Sequence, residues 1–116
     1  MKLSDFICFD ATIPDLKAAD RDGVITELVA ALGNAGEIGD AKPKEVAKAV
    51  IKRENEASTG IGKGVAIPHV KHKAIKNVIA AIGCKNEGID FSSLDKQPAY
   101  TIILLLSPAD LSLIHI

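Results

Sequence analysis

Residues 59–72 have the sequence TGIGKGVAIPHVKH, in which three glycines within five positions lead through a short apolar run and a proline to a histidine. Glycine permits tight turns and close backbone approach, so the cluster indicates that the chain passes close to another group here. Pro68 fixes the backbone directly before His69 and presents its imidazole in a defined place. The spacing alone slightly favours a plainer interpretation, in which the glycines only make a tight connection and His69 is a surface residue.

The glycines do not match the two common nucleotide-binding motifs. A dinucleotide fingerprint would need a third glycine where Val65 or Ile67 stands, and a Walker A loop would need Ser or Thr where Gly64 stands. What remains is a loop of backbone N–H groups that could cradle an anion, running into a short predicted strand over residues 65–67.

Two helices are predicted before this loop. Residues 21–33, RDGVITELVAALG, place their apolar side chains on one helical face, and Gly33 is the expected left-handed stop. A second helix is predicted over residues 43–56, PKEVAKAVIKRENE, which have a proline suited to the first turn and a narrower apolar stripe. Ser58 and Thr59 are expected to break this helix. The second helix therefore leads directly into the glycine loop.

Two strands are predicted after the loop. Residues 77–84 and 100–106 are apolar without strict alternation, which is typical of strands covered on both faces. Turns are expected at 86–88 and 95–98, with a short edge strand over 89–91 between them. The pattern predicts an α/β fold in which helices flank a mixed sheet.

Composition predicts one soluble domain over residues 1–116. The chain is 47% apolar and 25% charged, with a net charge of −1 and interspersed signs, which disfavours nucleic acid as a partner and favours proteins or small anions. No apolar run approaches the ~20 residues that span a bilayer, so no direct membrane insertion is expected. The start MKLSDFICFD has an acidic residue where a signal peptide would be cationic, so we expect a cytoplasmic protein.

A family resemblance is carried by a series of short motifs in the same order along most of the chain. They are KRE at 52–54, STGIG at 58–62, GVAIPH at 64–69, GIDF at 88–91, DKQP at 95–98, LLL at 104–106 and SPAD at 107–110. This series resembles the enzyme IIA domains of the fructose/mannitol type, including their nitrogen-regulatory branch, in the bacterial phosphoenolpyruvate-dependent sugar phosphotransferase system.

The resemblance implies a mannitol-type IIA fold and a phosphocarrier function without metal or other cofactor. His69 would accept a phosphoryl group from the phosphocarrier HPr and pass it to a IIB domain or, in the regulatory alternative, control binding to a target protein. A fused IIB or membrane IIC domain would favour transport. The implied supporting residues are Arg53 for phosphoryl stabilisation, the adjacent acid Glu54, His115 as a second histidine, and a phosphate loop of Thr59, Gly60, Gly62 and Gly64.

His72 forms a His-x-x-His pair with His69, a spacing that occurs in metal sites. Because no carboxylate or cysteine motif nearby supplies a third ligand, simple exposure of His72 is the preferred interpretation.

Three features depart from the family pattern. Val70 stands where a small residue is usual, and Lys63 where asparagine is frequent. Residues 107–110, SPAD, predict a helix start with Ser107 as N-cap and Pro108 in the first turn, yet the sequence ends at Ile116. We therefore expect a C-terminally incomplete domain without its last helices, and an inert remnant is a third hypothesis for its function.

Overall fold

The computed structural model describes residues 5–93 and 95–109, which form two helices packed on a mixed five-stranded sheet. After a 3-10 turn at Phe9–Ala11, the elements in chain order are α1 (Arg21–Asn34), α2 (Pro43–Glu56), β1 (Gly60–Gly62), β2 (Val65–Ala66), β3 (His69–His72), β4 (Ile79–Ile89) and β5 (Ala99–Pro108). The predicted α/β class and mixed sheet are confirmed.

Strand β5 is the centre of the sheet. Along one edge it pairs antiparallel with β4, and along the other edge it pairs in parallel first with β2 and then with β3. Strand β1 adds to β2 as an antiparallel hairpin. Residues before α1 run along the outer edge of β4, where Ile7 bridges Ala80 and Ile13 bridges Gly83. This N-terminal segment satisfies backbone groups at an edge that would otherwise be open.

From Ile102 to Pro108, buried and half-buried residues alternate along β5, so the prediction that this strand is covered on both faces is wrong for the described part of the chain. Ile102, Leu104 and Leu106 are fully buried, whereas Ile103 and Leu105 between them are only half-buried. The buried face forms the core with the apolar side of α1, which contributes Val24, Ile25, Leu28, Val29 and Leu32. Helix α2 packs against α1 and against β3, the strand that begins with His69.

The start of each helix follows from its sequence. Asp20 caps α1 by accepting a 2.9 Å hydrogen bond from the Gly23 N–H, and Pro43 occupies the first turn of α2 as predicted. The predicted left-handed stop at Gly33 is wrong. Gly33 is helical, and Gly36 adopts the positive φ of 75°. Gly36 N–H donates to Gly33 O and Glu37 N–H to Leu32 O, the Schellman pair of hydrogen bonds that closes a helix end.

Two predicted boundaries near the end of the sheet are wrong because strands continue through them. Residues 86–88 lie inside β4 as a bulge with Gly88 at φ 82°, and no separate strand forms over 89–91, since Ile89 pairs with Ala99 as the end of β4. Ser107 and Pro108 belong to β5 rather than to a helix start, because the parallel pairing with β3 extends to Pro108. None of the helices within residues 5–93 and 95–109 has the length and hydropathy of a membrane span.

Candidate functional site

His69 is the first residue of β3 and lies at the point where the glycine hairpin meets the sheet. It pairs with Leu105 of β5, and the Leu105 N–H donates a 2.9 Å hydrogen bond to the carbonyl of Pro68. Partners in a parallel register share a face, so His69 lies on the half-buried face with Leu105 and away from the helical core. Its side chain is exposed and available to a reactant.

The orientation of the His69 ring is set by one hydrogen bond, because Nδ1 lies 2.9 Å from the carbonyl oxygen of Ile67. A carbonyl oxygen only accepts, so Nδ1 carries the proton in this contact. In the neutral ring the lone pair is then on Nε2, and this nitrogen of the exposed imidazole is the one that could accept a group. Pro68, between the two residues, restricts the backbone that brings the ring over this carbonyl.

Glu54, at the end of α2, binds the beginning of the glycine hairpin. Its side chain is only 3% exposed. Oε2 accepts a 2.7 Å hydrogen bond from the Thr59 N–H and Oε1 a 2.6 Å hydrogen bond from the Thr59 hydroxyl. Two donors from one residue fix both the position and the rotation of Thr59.

Arg53 precedes Glu54 but points elsewhere. Its guanidinium Nη1 donates a 3.0 Å hydrogen bond to the Ala57 carbonyl one turn further along, and the residue is half-buried. Arg53 lies on α2, the helix that packs against the strand beginning with His69. A role for Arg53 in the site therefore stays a prediction from the sequence motifs, and its described hydrogen bond is to the helix end.

The glycine hairpin is folded tightly against the protein's own 91–100 segment. A Cβ added to Gly60 would lie 2.9 Å from Cα of Ser93 and closer still to its hydroxyl, and one added to Gly64 would lie 3.0 Å from the Tyr100 ring. Gly64 also has φ 80° and follows Lys63 at φ 57°, a turn with two positive φ values that glycine favours. The glycines thus permit close packing, whether or not an anion also binds.

Two N–H groups of the predicted phosphate loop already have protein acceptors. The Thr59 N–H is bound by Glu54, and the Gly60 N–H donates a 3.0 Å hydrogen bond to the Ser58 hydroxyl oxygen. Gly62 lies against Asp95, since a Cβ added to this glycine would be 3.2 Å from Oδ2 of the carboxylate. A role in phosphate binding for Thr59, Gly60, Gly62 and Gly64 stays a prediction.

Sequence reasoning missed Asp95, which stabilises the hairpin tip. Its carboxylate accepts the Lys63 N–H at 2.9 Å and the Gln97 N–H at 3.0 Å, and these bonds, the Lys63 bond first, lower the pKa of Asp95 below its ordinary 3.8. The second contact is an Asx turn, a signal present in the DKQP sequence that predicted the turn itself.

Among the described residues, His72 has no hydrogen bond to Glu54, Thr59 or the His69 ring. Nδ1 of His72 accepts a 3.0 Å hydrogen bond from the Ala74 N–H, and the residue is half-buried on the helical side of the sheet. His115, the predicted supporting histidine, lies outside the described residues.

Comparison with known proteins identifies a family model that matches nearly the whole chain. The model described as phosphoenolpyruvate-dependent sugar phosphotransferase system, EIIA 2, matches residues 7–116. The fructose-specific EIIABC component of Bacillus subtilis is 33% identical over 105 residues, which are 90% of this chain and 16% of that protein. A nitrogen regulatory protein of Bradyrhizobium diazoefficiens is 32% identical over 93% of this chain and 69% of its own length.

Two solved structures show the same fold. The nitrogen regulatory protein IIA-Ntr of Neisseria meningitidis superposes with a TM-score of 0.84 at 24% identity, covering 95% of this chain and 73% of that one. The mannitol IIA enzyme of Escherichia coli, in complex with phosphorylated mannitol IIB, superposes with a TM-score of 0.73 at 20% identity, covering 89% and 71%. The predicted mannitol-type fold is confirmed.

Proposed function

Because the chain belongs to the EIIA 2 family of the phosphoenolpyruvate-dependent sugar phosphotransferase system, we propose that it carries a phosphoryl group on Nε2 of His69. The group would come from an HPr-type phosphocarrier and pass to a IIB domain. The observation that supports this assignment is the Nδ1–H hydrogen bond to the Ile67 carbonyl, which leaves the Nε2 lone pair of an exposed ring for attack.

The transfer balances without a cofactor. The Nε2 lone pair forms a bond to phosphorus while the bond from phosphorus to the donor's histidine nitrogen breaks, and that electron pair returns to the donor. The Nδ1 proton stays in place, so the phosphorylated ring of His69 carries positive charge. The Ile67 carbonyl dipole faces this Nδ1–H and stabilises the charge as it forms. Onward transfer reverses these steps towards the next acceptor.

Arg53 is the cation that we propose to stabilise the equatorial phosphoryl oxygens during transfer. Its single described hydrogen bond is to an exposed carbonyl, which is easily exchanged for a phosphate oxygen. His115 is proposed as a second donor to the phosphoryl group on the strength of the sequence pattern. Both carboxylate oxygens of Glu54 already accept hydrogen bonds from Thr59.

A regulatory function is the second candidate, since a nitrogen regulatory protein is similar over nearly the whole of this chain. In that case phosphorylation of the same histidine would control binding to a target protein. The two functions share the first phosphoryl transfer and differ in the step after it. Placement in the cytoplasm is part of both proposals, because the phosphoryl donor is expected there.

The experiment incubates the chain with phosphoenolpyruvate, enzyme I and HPr and maps acid-labile phosphate by mass spectrometry. We expect the label on His69, loss of all label in His69→Ala, and normal labelling in the control His72→Ala. Label on His72 or His115 in the unaltered chain would contradict the assignment. Adding separate fructose-type and mannitol-type IIB domains then distinguishes the functions, since rapid loss of label to either IIB favours transport.

A further inference from the structure

The carboxylate of Glu54 is unusual because it is buried without a cationic partner in the described part of the chain. Glutamate is seldom buried unless it is paired. Neither of the ion pairs Arg21–Asp22 and Lys85–Glu87 includes Glu54. The Thr59 N–H and hydroxyl compensate this carboxylate instead. A group held at this cost in desolvation indicates that the position of Thr59 matters.

Thr59 is connected onwards to the reactive ring. Its carbonyl accepts a 3.1 Å hydrogen bond from the Ile67 N–H, and the Ile67 carbonyl in turn accepts the Nδ1–H of His69 at 2.9 Å. The first bond uses the N–H of Ile67 and the second uses its carbonyl. A rotation of the peptide planes of Ile67 would therefore weaken both hydrogen bonds together. A continuous series of hydrogen bonds therefore runs from α2 to the imidazole.

We propose that Glu54 is a positioning residue that holds the His69 ring through Thr59 and Ile67 and does not contact the phosphoryl group. The proposal rests on the proposed function of His69. Both carboxylate oxygens of Glu54 are engaged and the side chain is 3% exposed, so it presents no free surface to a reactant. Its negative charge would also repel a phosphoryl dianion at close range.

The hydrogen bonds of the series also explain why the ring holds the required tautomer. If Thr59 shifts, the Ile67 carbonyl moves away from Nδ1, and the neutral ring is then free to carry its proton on Nε2. That tautomer has no lone pair on the proposed nucleophile. Loss of the Glu54 contact should therefore reduce the rate of phosphoryl transfer more than the binding of the phosphoryl donor.

The test uses Glu54→Gln, which keeps the shape of the side chain but turns an amide NH2 towards one of the two Thr59 donors. Thr59→Val removes only the hydroxyl contact and disturbs the fold less, while Thr59→Ser retains both donors. Glu56→Gln, at an exposed glutamate of the same last turn, is the matched control. Nitrogen-15 NMR of the His69 ring reports the tautomer, and thermal unfolding reports stability in each variant.

In Glu54→Gln and Thr59→Val we expect a smaller population of the Nδ1–H tautomer and a kcat for phosphorylation by HPr lowered by about 10- to 100-fold, with KM nearly unchanged. Glu56→Gln should behave as the unaltered chain, and Thr59→Ser, which keeps both donors, should retain more of the Nδ1–H tautomer than Thr59→Val. An unchanged tautomer in folded Glu54→Gln and Thr59→Val would overturn the proposal, as would a loss confined to KM. Because the tautomer is measured without phosphoryl transfer, this failure is distinct from the absence of label on His69 in the unaltered chain.

Discussion

The two helices end in different ways, although each passes the chain to a connection that contains glycine. Helix α1 closes with backbone groups alone, as Gly36 turns to φ 75° and the Gly36 and Glu37 N–H groups donate to carbonyls of the last turn. This arrangement stops the helix at a fixed point. These backbone hydrogen bonds do little to fix the path of the chain after the helix.

Helix α2 ends instead through side chains that reach forward. Ala57 leaves the helix in an extended conformation, Arg53 binds its carbonyl, and Glu54 binds both donors of Thr59. These contacts fix the residues beyond the helix rather than the helix itself. These side-chain contacts lie at the helix end that leads to His69, where the proposal assigns them to the positioning of the ring.

The first prediction sharpens this comparison at Arg53. Arg53→Ala should slow phosphoryl transfer from HPr on the order of 10²-fold, the effect of losing one preorganised charge donor. The free energy of unfolding should change by no more than about 0.5 kcal/mol, because the lost contact is to an exposed carbonyl. Rapid-quench kinetics and denaturant unfolding measure the two quantities.

Lys52→Ala, at an exposed cation on the same turn, is the control for the loss of positive charge. Its transfer rate should stay within a few fold of that of the unaltered chain. If Arg53→Ala transfers phosphoryl groups at the normal rate, Arg53 serves only the helix end, and the chemical difference between the two helix ends rests on Glu54 alone.

The arrangement of helices and strands follows from apolar patterning, but their ends do not. The apolar face of α1 and Pro43 of α2 specify where the helices lie, whereas the choice of Gly36 over Gly33 as the left-handed residue depends on the hydrogen bonds of the following turn. Local composition predicted a turn at 86–88. The strand continues there because Ala99 offers a partner to Ile89, which local sequence does not reveal.

For the candidate site, the sequence suggested side chains only. Motifs pointed to His69, Arg53 and Glu54, but the acceptor that orients the ring is the carbonyl of Ile67, and a backbone carbonyl has no signature in sequence. The link from Asp95 to Lys63 joins residues 32 positions apart, so only the fold reveals it. Hydrogen bonds to the main chain thus account for most of what the sequence left open.

The second prediction compares the first glycine after each helix, Gly36 after α1 and Gly60 after α2. Gly60→Ala should destabilise the chain by about 2 kcal/mol, because its Cβ would lie 2.9 Å from the backbone of Ser93 and something must move. Gly36→Ala meets nothing within 4 Å and should cost about 1 kcal/mol through its positive φ alone. Denaturant unfolding gives both values.

The same pair of variants separates local from remote effects. Gly60→Ala should also shift the NMR signals of the His69 ring, since Gly60 is the residue directly after Thr59, whereas Gly36→Ala should leave them unchanged. A larger loss of stability in Gly36→Ala than in Gly60→Ala would show that the hairpin adapts easily, and that close packing against Ser93 does not constrain the approach to His69.

The smallest expected effect is at Asp95, which fixes the hairpin tip, whereas Glu54 fixes the start of the hairpin. Hydrogen bonds from the Lys63 and Gln97 N–H groups favour its charged form and hold the pKa of Asp95 below the ordinary 3.8 in the folded chain. The contribution to stability is therefore fully present above the ordinary pKa, and it is lost as the pH falls through the lower folded value.

Asp95→Asn should accordingly have a lower melting temperature than the unaltered chain at neutral pH. This difference in melting temperature should become progressively smaller below about pH 4. Asp90→Asn is the matched control, since Asp90 is also exposed and accepts a backbone N–H, from Ser92 at 2.8 Å, but lies away from the hairpin tip. A gap in melting temperature for Asp95→Asn that stays constant into acid would mean that its carboxylate acts by shape alone. Among the described residues, the contact of Glu54 with Thr59 would then be the only charged restraint on the hairpin.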